Sequence, residues 1–177
     1  SFGYPLLISF GTFPMFSVPL KASEENDEFS KLFEKADIFL EKNLFSKLIQ
    51  KDFKGAIYVL NKEINKNPYA MHLYINRAFI KADFLKDYKG AIEDLSKLIK
   101  RYPNQNFYSF RADFKEKIKD FEGAIEDFSK AIEINPKAYY FFVRADLKKK
   151  IKDYEGVIKD YSKVIEIKPK KNLYEAS

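Results

Sequence analysis

The 177-residue chain is 46% apolar, 33% charged and 17% aromatic, so it is long and apolar enough to fold around a buried core. It has no cysteine, which excludes disulfides, thiolate nucleophiles and sulfur-ligated metals, and its single histidine, His72, excludes a histidine-based metal cluster. The formal net charge of +6 lies mostly after residue 136, where eleven Lys or Arg accompany six Asp or Glu. This excess favours an acidic partner, although a solvated helical face is the simpler explanation.

Residues 1–22 form an apolar N-terminal segment, and the first twenty carry no charge. The segment resembles the apolar part of a secretory or targeting signal, without the basic stretch that usually precedes it. A partner-docking arm and a membrane span are the alternatives, and Pro5, Pro14 and Pro19 argue against an uninterrupted span. The segment favours a targeted or exported compartment (periplasm, lumen or organelle), or membrane association, over the free cytoplasm.

Residues 23–68 are predicted to form a degenerate N-terminal helical unit that caps the structure. Its first part places apolar residues at three- and four-residue spacing, which is typical of an amphipathic helix: Phe29, Leu32, Phe33, Ala36, Phe39 and Leu40. Its second part contains the first copy of a motif that recurs along the rest of the chain.

Four copies of this motif are centred on Gly55, Gly90, Gly123 and Gly156, in steps of 35, 33 and 33 residues. In every copy an aspartate lies three residues before the glycine and a proline lies thirteen residues after it. A fixed period in the thirties predicts stacked helix pairs, because one pair cannot bury its own apolar face. We expect a neighbouring helix to pass close to each glycine, since glycine inside a helix otherwise costs about 1 kcal/mol relative to alanine.

The third copy illustrates the predicted helices. Asp120 is an N-cap, apolar residues follow at helical spacing, and Pro136 ends the helix. The segments before the last three copies, residues 73–83, 107–117 and 139–150, are predicted first helices of their units. The predicted units are therefore residues 69–103, 104–136 and 137–169, followed by a tail of residues 170–177.

Three short patterns carry a resemblance to a known family: aromatic-x-x-Arg-Ala in the first helix, Asp-Tyr/Phe-x-Gly-Ala-Ile at the start of the second, and Asn/Lys-Pro at the end of the unit. With these patterns the chain resembles the tetratricopeptide repeat (TPR) proteins. The resemblance implies an all-α fold, a right-handed α-solenoid of stacked antiparallel helix pairs. It also implies a binding module that is no enzyme and needs no cofactor.

An arginine stands where the family usually has leucine, and a carboxylate lies opposite it in each unit. Counted from the turn between the two helices, Arg111 and Asp127 fall at nearly the same level. They are expected to form a bidentate pair that sets the register of the helices. The predicted structural pairs are Arg77 with Asp94, Arg111 with Asp127, and Arg144 with Asp160. The alternative is that these arginines point into the groove and hold an acidic ligand.

The resemblance further implies that the first helices line a concave groove, which receives a peptide or a surface of another protein. The groove residues expected to bind this partner are His72, Ile75, Asn76, Ser109, Asp113, Lys117, Phe142, Asp146, Lys149 and Lys150. Their mixed polarity and basic rim suit a partner with an apolar anchor and an acidic end. Ile75, Ser109 and Phe142 stand where a clamp for a chaperone C-terminal carboxylate would need a cation, so that activity is not predicted.

The predicted function is a non-catalytic protein-interaction scaffold or assembly factor. The alternative is a structural subunit of a membrane-associated complex, docked through the apolar N-terminus. RNA binding by helical repeats is a third hypothesis, disfavoured because the aromatic residues fall on the buried faces. The recurring carboxylates lie at helix starts, where capping explains them without catalysis.

Overall fold

The computed structural model describes residues 42–167, and every described residue that is regular lies in a helix. Three predicted parts of the chain lie outside the described residues. They are the apolar N-terminal segment, the amphipathic pattern of residues 29–40, and the tail of residues 170–177. The helices are α1 (residues 42–49), α2 (Phe53–Lys66), α3 (Met71–Phe79), α4 (Tyr88–Arg101), α5 (Gln105–Lys117), α6 (Phe121–Ile134), α7 (Ala138–Lys150) and α8 (Tyr154–Ile167). Consecutive helices pack on each other in a TPR-like solenoid, which confirms the predicted stack of helix pairs.

The second helix of each unit begins at the predicted aspartate. Asp52, Asp87, Asp120 and Asp153 each accept a hydrogen bond from the backbone N–H of the glycine three residues on, at 2.9–3.0 Å. This bond satisfies one of the four N–H groups that a helix leaves free at its start. At the other end α6 stops at Ile134, with Asn135 as the C-cap and the predicted Pro136 directly beyond it.

The recurrent glycines lie beside this cap, and a side chain of the neighbouring helix also reaches them: Lys81 donates to the Gly90 carbonyl at 3.2 Å, and a Cβ added at Gly156 would lie 2.8 Å from Lys148. A Cβ added at Gly90 would lie 2.2 Å from a carboxylate oxygen of Asp87, and one added at Gly123 would lie 2.3 Å from Asp120. The capping carboxylate folds back over the first turn and takes the space that a side chain would fill. A side chain at these positions would displace the capping carboxylate from the place it has in this structure.

The turn inside each unit contains a lysine in the left-handed backbone region. Lys51, Lys86, Lys119 and Lys152 have φ of 55°, 57°, 64° and 63°, and each directly precedes the capping aspartate. This conformation costs a non-glycine residue about 1 kcal/mol, because its Cβ crowds the backbone. The same turn is therefore repeated four times with the same strain.

A π-helical segment, Ile80–Phe84, continues α3. Asp87 is the tenth residue after Arg77, whereas Asp120 is the ninth residue after Arg111 in the next unit. A π-turn accommodates one additional residue without breaking the helix. The extra residue is thus absorbed between Arg77 and the turn, and Arg77 keeps its place opposite α4.

The core runs between the helices as two apolar clusters, one spanning α2 to α5 and one spanning α5 to α7. Ala78, Ala112 and Ala145, which follow the three arginines, are completely buried. Their small side chains let the two helices of a unit approach closely at the level of the arginine. This places each arginine next to the facing second helix.

Candidate functional site

Three buried carboxylates lie at equivalent places in the last three units. Asp94, Asp127 and Asp160 are only 1%, 1% and 2% exposed. A buried carboxylate is strongly destabilising unless it is paired and hydrogen-bonded. The groups that surround these aspartates therefore decide whether the units can form.

Each aspartate is held by the arginine of the same unit through two hydrogen bonds. Arg77 donates to the two oxygens of Asp94 at 2.9 and 2.5 Å. Arg111 does the same to Asp127 at 2.8 and 2.6 Å, and Arg144 to Asp160 at 2.9 and 2.6 Å. The guanidinium groups thus point toward the second helix of their own unit, and their donors are taken up by the protein.

A lysine completes each site, and sequence reasoning missed it. Lys81, Lys115 and Lys148 lie 2.9–3.0 Å from Asp94, Asp127 and Asp160, respectively. The signal was present, because a lysine follows the arginine by four residues in every copy, which is one helical turn. Each buried carboxylate therefore has two cationic partners from the first helix.

The remaining nitrogen of each guanidinium, Nη1, donates a hydrogen bond to a side chain of the preceding unit. Arg111 Nη1 donates to Ser96 Oγ and Arg144 Nη1 to Ser129 Oγ, both at 2.9 Å, while Arg77 Nη1 donates to the Asn61 side chain at 2.6 Å. These acceptors lie two residues after the position of the buried aspartate. Sequence reasoning missed this connection as well, although the spacing recurs. The arginine fixes the two helices of its own unit and also ties that unit to the one before.

The same contacts shift the pKa values of Asp160 and Arg111. Burial opposes ionisation of Asp160, but hydrogen bonds from Arg144 and Lys148 outweigh it, so the pKa of Asp160 is lowered. The hydrogen bonds to Asp127 raise the pKa of Arg111. An aromatic ring three residues before each arginine, such as Tyr108, lies 5.3–5.7 Å from the guanidinium and adds a cation–π contact.

The residues predicted to line the groove do not all reach the surface. His72, Asn76, Lys117, Phe142, Lys149 and Lys150 are exposed, while Ile75, Asp113 and Asp146 are half-buried. Ser109 is a correction, because it is buried and its hydroxyl donates to the Asn106 carbonyl. Tyr140 of the next unit also reaches Ser109 and covers this position. Phe142, one period further on, is 47% exposed.

A shallow depression in the predicted groove lies between α5 and α7. It is a depression of about 530 Å³ lined by Glu116, Val143, Asp146, Leu147, Lys149 and Lys150. Lys150 pairs with Glu116 across two units and lies 5.4 Å from the ring centroid of Phe121. Asp146 accepts a hydrogen bond from the Tyr161 hydroxyl at 2.7 Å, and this bond raises the pKa of Tyr161.

Phe142 lies on α7 one helical turn before Asp146. Its ring contacts the ring of Tyr161 at 5.9 Å between centroids, so one edge is packed and the other faces solvent. Lys117 and Lys149 form no ion pair with any residue in the range 42–167. The surface of α7 thus presents an exposed apolar ring and, two helical turns further on, an unpaired cation.

Two further properties hold for the described part of the chain. No three His, Cys, Asp or Glu side chains within residues 42–167 are gathered as a metal site would require. Over the same range, none of the helices has both the length and the apolar composition needed to cross a membrane.

A stack of antiparallel helix pairs, linked by the same buried ion pairs, defines a helical-repeat solenoid. The tetratricopeptide repeat family model matches residues 106–137 and 138–171. The chain therefore contains tetratricopeptide repeats over residues 106–171. These repeats are protein-interaction units and are typically non-catalytic, so protein partners are expected in general terms. No curated protein sequence matches the chain.

Solved structures with the same architecture share the fold at low sequence identity. A MamA crystal structure is 23% identical, with a TM-score of 0.61, over 70% of this chain and 73% of MamA. MamA from Desulfovibrio magneticus is 18% identical, with a TM-score of 0.61, over 72% and 73% of the two chains. A tetratricopeptide repeat protein from Parabacteroides merdae is 18% identical, with a TM-score of 0.65, over 74% of this chain and 53% of its own.

Proposed function

We propose that this protein is a non-catalytic interaction scaffold or assembly factor that binds a peptide or protein segment in the groove lined by its first helices. The observation that carries the proposal is that α7 carries both the 47% exposed ring of Phe142 and the unpaired Lys149, which lines the depression between α5 and α7. The buried arginines are occupied by structural pairs, so the groove cations are lysines.

The expected partner presents a large apolar side chain followed by acidic residues. The apolar side chain would pack on the free face of Phe142, where exposed aromatic rings commonly anchor partners. The acidic residues would contact Lys149 on α7 and Lys117 on α5. These lysines are exposed, so their charges contribute more to the association rate and to selectivity than to affinity.

A selection from a random peptide library against the intact chain tests this function. Enriched peptides are expected to combine a large apolar residue with neighbouring Asp or Glu. Phe142→Ser should weaken the best peptide at least tenfold in titration calorimetry, and Lys149→Glu should weaken it a few-fold and slow its association. Lys97→Glu makes the same change of charge at an exposed position of α4 and should leave binding unchanged.

Two results would reject the proposal. One is enrichment of peptides without acidic residues. The other is a selected peptide that binds Phe142→Ser and Lys149→Glu as tightly as the unchanged chain. Circular dichroism of each variant verifies that the helices remain folded.

A further inference from the structure

Two carboxylates line the depression between α5 and α7, and within the described residues only that of Glu116 is paired with a cation, Lys150. Asp146 forms no ion pair with any residue in the range 42–167. Of its two carboxylate oxygens, Oδ1 accepts the hydrogen bond from the Tyr161 hydroxyl at 2.7 Å. Oδ2 is therefore the oxygen that a donor from outside this part of the chain can reach.

The two lysines one helical turn after Asp146 do not neutralise it in this structure. Lys150 points to Glu116 of the preceding unit and lies 5.4 Å from the ring centroid of Phe121. Lys149 is exposed and pairs with no carboxylate in the described part of the chain. As a result, α7 presents an unbalanced anion and an unbalanced cation three residues apart, at positions 146 and 149.

The depression offers an apolar wall beside this carboxylate. The aliphatic side chains of Val143 and Leu147 contribute to its lining, next to Asp146 on the same helix. A lysine or arginine side chain packs its methylene stem on apolar surface while its charged end stays near polar groups. The lining therefore matches both parts of a basic side chain.

Asp146 lies at a position that stays accessible when another unit is stacked on its own. Asp113 is the equivalent residue of α5, and it is half-buried although α7 follows it. Asp146 is half-buried as well, with no described unit after α8. A further unit beyond α8 would therefore leave Asp146 about as accessible as Asp113 is.

We propose that Asp146 binds a positively charged side chain, arginine or lysine, of the segment that occupies the groove. The inference rests on the proposed function and adds a basic residue to the apolar and acidic residues expected in the partner. The ammonium or guanidinium group donates to Asp146 Oδ2, and the methylene stem packs on Val143 and Leu147. The charges of the partner are then the reverse of those on α7, basic at Asp146 and acidic at Lys149. A partner with acidic residues alone would place negative charge beside Asp146, and like charges in contact oppose binding.

Parallel selections from the random peptide library against the unchanged chain and Asp146→Asn test this inference. Asparagine keeps the size of the side chain and an oxygen that can accept from Tyr161, but it removes the charge. The unchanged chain should enrich arginine or lysine beside the acidic residues. With Asp146→Asn this basic enrichment should disappear, while the apolar and acidic residues stay enriched. Asp146→Lys should deplete basic residues, and Glu126→Gln, which removes an exposed charge on α6, should leave the basic enrichment unchanged.

A double-mutant cycle in titration calorimetry measures the contact itself. The probe is the most enriched peptide, whose basic residue is replaced by methionine to keep an unbranched stem without the charge. This replacement and Asp146→Asn should each weaken binding a few-fold, since the pair is partly exposed to solvent. The two losses should not add, because both remove the same contact. Circular dichroism verifies that each variant remains folded.

Four outcomes would overturn the inference. The unchanged chain selects apolar and acidic residues without basic ones, or Asp146→Asn enriches basic residues equally. The two losses in the cycle add. Basic enrichment appears only when the lysines outside the described residues are changed to glutamine, which would make one of them the occupant: Lys21, Lys31, Lys35, Lys168, Lys170 and Lys171.

A failure of the proposed function gives a different result. In that case the selected peptides lack acidic residues, or they bind Phe142→Ser and Lys149→Glu as tightly as the unchanged chain. When only the present inference fails, the dependence on Phe142 and Lys149 persists and the dependence on Asp146 is absent.

Discussion

Replacing Arg111 by alanine is the most informative perturbation of the buried network. The change removes two hydrogen bonds to Asp127, at 2.8 and 2.6 Å, and one to Ser96 at 2.9 Å. Asp127 is 1% exposed and cannot turn to water, but it retains Lys115 at 3.0 Å. Breaking a buried ion pair by removing one partner typically costs about 3–5 kcal/mol.

Because Lys115 still neutralises the carboxylate, we expect Arg111→Ala to lower the free energy of unfolding by about 3 kcal/mol, the lower end of that range. For a chain of this size the loss corresponds to a fall in Tm of roughly 6–12 °C. Arg111→Lys keeps the charge but not the two parallel bonds, so its cost should lie between alanine and the unchanged chain.

Urea denaturation monitored by circular dichroism and by tyrosine fluorescence measures the effect, since the chain has twelve tyrosines and no tryptophan. Coincident transitions from the two probes are needed, because repeat proteins can unfold unit by unit. Lys130→Ala is the matched control in α6, because its pair with Glu133 is exposed to solvent and should contribute little to the free energy of unfolding. If Arg111→Ala costs no more than this control, the buried pair does not stabilise the fold and the reasoning is refuted.

Three further predictions concern the caps, the turns and the pH dependence. Asp120→Ala removes the N-cap of α6 and should cost about 1 kcal/mol of unfolding free energy; an unchanged urea midpoint would contradict the capping role. Lys119→Gly relieves a positive φ of 64° and should stabilise the fold by about 0.5 kcal/mol, whereas Lys130→Gly inside α6 should cost about 1 kcal/mol; losses in both would disprove the strain. The folded-state pKa of Asp160 is lowered, so its stabilising contribution is present above the unfolded pKa of about 3.9 and is lost as the pH falls through the folded value. Asp160→Asn should be less stable than the unchanged chain at neutral pH and lose less stability on acidification below about pH 4; parallel curves from pH 2.5 to 6 would exclude this linkage.

The helix pairs could be predicted because their signals are local and repeated. A capping aspartate, apolar residues at helical spacing and a closing proline act within one helix, and four copies in phase reinforce each other. The level of Arg111 opposite Asp127 also followed from counting outward from the turn between antiparallel helices. The extra residue before Asp87 could not be placed by counting, because either a longer turn or a π-segment would absorb it.

The candidate groove was harder to predict than the fold. Helical spacing placed Ser109 and Phe142 at the same position of consecutive units. Their exposure differs because Tyr140 of the next unit covers Ser109, and no described unit follows Phe142. Accessibility of a groove residue therefore depends on the neighbouring unit as well as on its own helix.

The sequence by itself determined the period, the caps and the class of fold, since these depend on contacts between residues close along the chain. The tertiary structure alone decided which side chains share the buried carboxylates and which surfaces stay open. Lys115 reaches Asp127 once the two helices of its unit pack together, and Ser96 reaches Arg111 only once the preceding unit is stacked on it. Tyr154, Ile158 and Ile165 of α8 are exposed for the same reason, because burial in a solenoid is supplied by the next unit and no helix after α8 lies within the described residues.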